Sequence, residues 1–314
     1  MAKTKYILGM RDAFFTALYP LFAANPKSVF VSADNGAPTL DCFGDNLKNQ
    51  FYTVGIAEQQ MIGMAAGFAL EGYKAYAYAI APFVTLRCYE ITKLDVCAMN
   101  LPVVLVGVGA GYAYDIMGPT HHTVEDLTVM RVLPNLKIYS PADGICAGAL
   151  AKITFEDPAP QYIRFDRAGI SNVYPDEGTD FTQGLVPLRR GKDVCLIACG
   201  VMVHTALQVA DQLRQRGIDA GVVDLFRIKP INTDRLLGEL NGVKRVVTME
   251  EHLLAGGMGS AVLEVLSDAG FVRPVLRIGQ KDRFVFDMGG RKVIWKRYGL
   301  DSDSVTQRVA DWCR

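Results

Sequence analysis

A glutamate at the head of an apolar stretch, two adjacent histidines, and arginines set among small or acidic residues are the side chains whose settings invite chemistry. Glu58 interrupts "FYTVGIAEQQMIGMAAG" (residues 51–67), where an aromatic pair leads through one carboxylate into a run rich in Gly and Ala. From the residues alone it reads as a helix N-terminal carboxylate, stabilised by the helix dipole by about 0.3–1 kcal/mol. Gly63 and Gly67, four apart, leave one face of that helix nearly flat, so another helix backbone can approach closely at a subunit or domain interface. His121 and His122 in "GPTHH" invite a metal reading. Adjacent side chains on regular structure diverge, however, and no carboxylate or cysteine set completes a coordination shell. "VGVGAG" (106–111) lacks the third glycine and the acidic residue of a dinucleotide fold.

These residues sit on alternating elements. Short β-branched runs at 28–32, 73–80, 102–108, 136–140 and 161–165 are separated by segments long enough for helices, which predicts βαβ units and a largely parallel sheet. Residues 172–192 lapse into Gly, Pro and charge, the composition of a connector. A second series then opens with "DVCLIACG", and continues through a helix from about Val203 to Arg216, "DAGVVDL", a helix near Asp234 to Leu240, "RVVTMEE", the turn "GGMGS", a helix through Leu266 and "PVLRIG". The fold class expected is α/β, in two domains, each a largely parallel sheet flanked by helices. The boundaries expected are 1–175 for the first domain, 176–191 for a linker and 192–314 for the second domain.

Bulk properties narrow the class of partner. The 314 residues carry 33 Lys plus Arg against 33 Asp plus Glu, so no net field favours nucleic acid or an anionic membrane. Half of the chain is apolar and 21% is charged, as in a compact globular protein. Seven cysteines scattered through apolar surroundings read as reduced core residues of a cytoplasmic protein. "MAKTKYILGM" lacks the apolar run of a signal peptide, and the longest apolar stretches are too short to span a bilayer.

The string "FYTVGIAEQQMIGMAAGFALEGYKAYAYAIAPFVTLRCYEI" resembles the pyrimidine-binding domain of transketolases and of 1-deoxyxylulose-5-phosphate synthases. The resemblance continues through "GPTHHTVEDLTVMRVLPNLKIYSPAD" and "PQYIRFDRAG". It then runs on in the second domain through "RIKPIN", "VVTMEEHLLAGGMGSAV" and "IGQKDRF", covering essentially the whole chain. It implies a thiamine-diphosphate enzyme in which the glutamate matching Glu58 bonds N1′ of the cofactor's aminopyrimidine and favours the tautomer that removes the thiazolium C2 proton. A carboxylate suits this role if an apolar wall raises its proton affinity.

Further residues are implied by the same likeness. Phe83 in "APFVTLRCY" falls where the family stacks an aromatic on the pyrimidine, although an ordinary core Phe is the alternative. Ile80 lines the same cofactor pocket, standing where many transketolases have another aromatic, and Asp34 in "SAD" shapes the interface near the cofactor. His121 matches a histidine that handles protons at the substrate's oxygens, with a plain loop histidine as the alternative. Arg167 in "RFDRAG", Arg11 and Thr39 match phosphate-binding positions, and a guanidinium fork suits phosphate geometry. A structural salt bridge is the other reading of Arg11. Met117 stands where transketolases carry an acidic donor-binding residue, with Asp115 a substitute from elsewhere on the loop, so a non-standard donor is open.

The diphosphate and Mg²⁺ site of the superfamily, a GDG followed by Asn, is not matched. "FGDN" lacks the second Gly, and the match of "PADG" (141–144) with Asn172 is coincidence, since in the family that "YSPAD" resembles this stretch closes a strand of the pyrimidine domain. The expectation is therefore a split enzyme. This chain would be inactive without an N-terminal subunit carrying the GDG and Asn motif with Mg²⁺, the pair would form a heterotetramer with self-association, and no metal would be held by this chain's own residues. The reaction expected is transfer of a two-carbon ketol unit from a ketose phosphate to an aldose phosphate. A 1-deoxyxylulose-phosphate-synthase-like ligase, a 2-oxoacid dehydrogenase β-type subunit and a non-enzymatic regulatory module stand as alternatives.

Overall fold

The computed structural model describes residues 8–167, 169–175 and 177–314. The first seven residues, which open the expected first domain, and Asp176, the expected start of the linker, lie outside the described residues. The chain divides into two compact units. One comprises residues up to Gly109, Leu133–Leu136 and Asp143–Thr179; the other comprises Ala110–Val132, Lys137–Ala142 and Asp180–Arg314. Each has its own largely parallel sheet flanked by helices.

In the first unit the strands run in the order Phe51–Thr53, Ser28–Ser32, Lys74–Ile80, Val103–Val108 and Gln161–Phe165, every pair parallel. All residues of Ser28–Ser32, Val103–Val108 and Gln161–Phe165 are buried, which is why these strands read as unbroken apolar runs: helices cover both faces of the sheet. Rings fill the interior, with Phe15 edge-on to Phe30 at 5.4 Å and Phe22 edge-on to Tyr76 at 5.4 Å. Helix Glu58–Leu70 lays Met61, Ile62, Ala65, Ala66 and Ala69 on the sheet. Its other face carries Gly63, half-buried, and Gly67, exposed. A Cβ at either would meet nothing within 4 Å among the described residues, which leave the flat face open.

The second unit orders its sheet as Val275–Gln280, Arg245–Leu253, Val194–Ala198, Ala220–Asp224 and Val186–Arg189. The first four strands are parallel and the last runs antiparallel to Ala220–Asp224. Val186–Arg189 lies inside the stretch expected as a linker, and it is an edge strand instead, a place that tolerates Pro187 because an edge leaves N–H groups unneeded by the ladder. The interior strand Arg245–Leu253, next to the edge strand Val275–Gln280, carries Glu250, Glu251 and His252 just before its last residue, all buried. Three ionisable residues in a sheet core demand partners. Five cysteines are buried and Cys42 and Cys313 are half-buried; all seven are free thiols. No helix among the described residues is long and apolar enough to cross a membrane.

Candidate active site

Ala57 precedes the first turn of helix Glu58–Leu70 in a non-helical conformation, and Glu58 opens the helix. Its side chain is 5% exposed, at the floor of an open cleft of about 690 Å³ lined by Ile56, Gln59, Gln60, Gly63 and Arg87 among others. The wall is not purely apolar as expected. Arg87 Nη1 donates to Glu58 Oε2 at 2.7 Å, and the same guanidinium lies over the Phe83 ring, 4.1 Å from its centroid. Phe83 is half-buried on the short helix Ala81–Val84, and Ile80 is half-buried at the end of the strand leading into it. Gln59 Nε2 donates to the Arg87 carbonyl at 3.1 Å, tying the two segments together. Glu58 and Phe83, paired only by resemblance in the sequence, are thus joined by a residue that the motif does not single out. The sequence does carry a signal for Arg87: it follows Phe83 by four residues in a stretch that turns helically, so the two side chains share a face.

Of the remaining expected residues in this unit, Arg11 and Thr39 meet through a third. Arg11 Nε donates to Asp12 Oδ1 at 3.0 Å and the Thr39 hydroxyl donates to the same oxygen at 2.9 Å. Burial works against the Arg11 charge, but the hydrogen bonds to Asp12 and Tyr78 outweigh it and hold the guanidinium protonated above its ordinary range. The salt-bridge reading of Arg11 therefore describes its present contacts. Asp34 is exposed on the rim of a separate cavity of about 600 Å³. Arg167 is exposed just beyond strand Gln161–Phe165.

The "PADG" stretch has a structural role that explains its resemblance to a metal motif. Asp143 is fully buried and caps helix Gly144–Glu156, accepting from Cys146 N at 2.8 Å. Its other oxygen accepts from Val173 N at 2.7 Å and Tyr174 N at 2.9 Å. Both carboxylate oxygens are committed to backbone N–H groups.

In the second unit, His121 and Asp115 ride on a loop closed at its base by a two-way backbone bridge between Gly111 and Thr123, at 2.9 and 2.8 Å. His121 is half-buried, its Nδ1 is 2.9 Å from the Thr120 hydroxyl, and its ring packs beside Tyr114 at 5.7 Å. Asp115, expected to face substrate, uses Oδ2 to accept from Arg291 N at 2.8 Å, where a helix begins at Arg291–Tyr298. Met117 is exposed. His122 is buried and edge-on to Tyr112 at 4.9 Å.

Burial lowers the His122 pKa below the ordinary histidine range, against the pull of Glu251 and Asp115. The unfolded chain therefore binds this proton more readily than the folded chain. The stability contributed is fully present above the unfolded value of about 6.5 and is lost as pH falls from there through the folded value. Urea midpoints measured between pH 7.5 and 5 should decline on the acid side, and His122→Phe should flatten that part of the profile. An unchanged slope in the variant would refute the assignment.

The comparisons with known proteins divide the chain once, between 171 and 184, so that residues 110–132 and 137–142, which pack with the second unit, fall within the first family match. Residues 8–171 match the family described as "Transketolase, pyrimidine binding domain" and residues 184–305 match "Transketolase, C-terminal domain". The chain is 33% identical to an apulose-4-phosphate transketolase subunit of Phocaeicola vulgatus, over 98% of each chain. It is 35% identical to the 1-deoxy-D-xylulose-5-phosphate synthase of Caldanaerobacter subterraneus over 95% of its own length, and spans 48% of that protein. Among solved structures it superposes on a split-gene transketolase described as an inactive beta4 tetramer with a TM-score of 0.88 and 36% identity, covering 97% of this chain and 98% of that one. A Pichia stipitis transketolase shares the fold at a TM-score of 0.79 and 19% identity, with this chain spanning 47% of it.

Proposed function

The chain belongs to the transketolase family, and from that premise we propose that it is the pyrimidine-binding and C-terminal subunit of a split, thiamine-diphosphate-dependent transketolase. The observation that carries the reading is the Glu58, Arg87 and Phe83 constellation. A flat, delocalised cation now makes two contacts at once, a hydrogen bond to a buried carboxylate and a stack on an aromatic ring. Those are the two contacts that a protonatable aminopyrimidine needs, so the residues fit the cofactor's ring. Arg87, 43% exposed along its side chain, has solvent into which to withdraw.

When bound, thiamine diphosphate supplies the carbanion-stabilising chemistry of ketol transfer. This chain's residues would bind and orient it: Glu58 holding a proton at the ring nitrogen, Phe83 and Ile80 packing the ring, and Asp34 shaping the edge. His121 would move protons at the substrate's oxygens. Arg167, with Arg11 and Thr39 released from Asp12, would take the substrate phosphate, and Asp115 would contact a hydroxyl. A separate N-terminal subunit bearing the GDG and Asn motif would supply the diphosphate and Mg²⁺ site, and the pair would assemble as a heterotetramer in the cytoplasm. The domains would be 1–175 and 192–314, with Val186–Arg189 of the intervening stretch paired into the second sheet. The likeness to 1-deoxyxylulose-5-phosphate synthases at a similar identity supports a second reading, a decarboxylating ligase acting on a 2-oxoacid donor.

The test is reconstitution. The chain is purified with and without the candidate partner, given thiamine diphosphate and Mg²⁺, and assayed with ketose phosphates and with pyruvate as donors. Ketol transfer by the complex supports the first reading, and pyruvate-dependent CO₂ release supports the second. Full activity from the isolated chain would refute the split site, and cofactor binding without turnover on either donor class would leave a regulatory module.

The open glycine face makes a separate prediction. Gly67→Leu should leave the stability of the isolated chain within about 1 kcal/mol of the parent, since a Cβ there meets nothing and glycine is the poorer helix former. The same variant should weaken assembly with the partner, read by size-exclusion chromatography or sedimentation. Wild-type assembly would show that the face is not the seam.

A further inference from the structure

Glu251 receives more hydrogen bonds than sheet packing requires. It sits near the end of strand Arg245–Leu253, 6% exposed. Its carboxylate accepts from Tyr112 N at 3.0 Å, from Arg291 Nε at 2.8 Å, and from Arg291 Nη2 and Trp295 Nε1. One side chain thereby joins the base of the 111–123 loop to the helix Arg291–Tyr298. The same helix is held a second time by that loop, through the Asp115 carboxylate on Arg291 N.

The neighbouring strand residues continue the attachment. His252 Nε2 accepts from Leu127 N at 3.1 Å, and its Nδ1–H donates to the Leu253 carbonyl at 2.8 Å, which fixes a neutral tautomer. Leu253 N donates to the Val124 carbonyl at 2.8 Å. Three consecutive strand residues are therefore bonded to the segment 112–127 that contains His121. Gly111 is shaped for this arrangement: it holds φ at +60°, and a Cβ on it would lie 1.9 Å from Glu251 Oε2. Only a glycine lets the loop backbone come this close to the carboxylate.

We infer that Glu251 is a positioning residue for His121, using the helix Arg291–Tyr298 as the anchor that fixes the substrate-facing loop. The inference rests on the proposed use of His121 at substrate. A carboxylate with four N–H donors is a rigid node, because moving any one donor leaves charge or N–H groups unpaired in a buried site. A positioning error of about 1 Å at a reacting group can cost about a hundredfold in rate. Glu251 and the helix Arg291–Tyr298 would then act in catalysis through the loop that they hold, without themselves touching substrate.

The test uses the full chain, alone and in the reconstituted complex, with Glu251→Gln, Trp295→Phe and Gly111→Ala. In the chain alone, Glu251→Gln should speed amide exchange of Tyr112 and Thr123 at least tenfold and move the imidazole resonances of His121, while Val194–Ala198 keeps its protection. In the complex it should lower kcat at least tenfold with the dissociation constant for thiamine diphosphate unchanged. Trp295→Phe removes one donor, keeps the ion pair and should show the same pattern more weakly, which guards against a misfolded first variant. Gly111→Ala attacks the node from the loop side, and the double variant with Glu251→Gln should be no worse than the stronger single one. Unaltered loop exchange and His121 resonances would overturn the inference, as would a released loop with wild-type kcat, or equal loss of turnover and cofactor affinity. If the wild-type complex transfers no ketol unit, the proposed function fails on its own, and the exchange and imidazole readouts still decide whether Glu251 positions His121.

Discussion

Glu58→Gln in the reconstituted complex is expected to lower turnover by about 10²–10⁴-fold, the usual contribution of a positioned acid–base group, while the chain stays folded. A glutamine keeps an oxygen to accept from Arg87, so the contact at 2.7 Å can persist without its charge. Arg87 is 43% exposed along its side chain and its charge remains hydrated when the carboxylate is gone. What the amide cannot do is share a proton with a ring nitrogen. Turnover and thermal midpoint should therefore separate: the first collapses and the second barely moves. Turnover within about threefold of wild type would remove Glu58 from the chemistry and leave it as the helix N-terminal carboxylate that its position alone already explains.

Asp143→Ala carries the largest expected loss of stability. The fully buried carboxylate accepts one N–H at the helix cap and two from Val173 and Tyr174. Loss of a cap costs about 1 kcal/mol, and each further N–H left without an acceptor in a buried setting costs about 1–3 kcal/mol. The sum expected is about 3–7 kcal/mol, or a fall on the order of 10–20 °C in the midpoint of the unit that contains it. Asp143→Asn, which retains one acceptor oxygen, should lose about half as much. Urea unfolding followed by far-ultraviolet circular dichroism reads both. A loss under about 1 kcal/mol for the alanine variant would mean that water replaces the carboxylate and that the 173–174 segment is not pinned there.

The two parallel sheets are legible in the sequence because covered strands leave unbroken β-branched runs, as in Val103–Val108 and Val194–Ala198. Val186–Arg189 is not, since a proline and nearby arginines look like connector and only pairing with Ala220–Asp224 makes a strand of them. Glu58 and Phe83 are legible as a motif. Arg87 is overshadowed there, because the aromatic position carries the likeness and the cation stands four residues on. The node at Glu251 has no local signature beyond "EEH" in a strand, for its partner Tyr112 lies 139 residues away in sequence. Periodicity marks the faces of helices and strands; it does not mark pairs brought together by the crossing of distant segments.

The bare face at Gly63 and Gly67 has a thermodynamic consequence. Two glycines within one helix give up about 1 kcal/mol each relative to alanine, and among the described residues nothing lies within 4 Å of where a Cβ on either would stand. A partner that binds only the folded form returns that stability by mass action, in proportion to the logarithm of its concentration over its dissociation constant. Heat resistance is then a property of the mixture and not of the chain. Melting curves of the isolated subunit should underestimate its durability, and the deficit should close on titration with the partner.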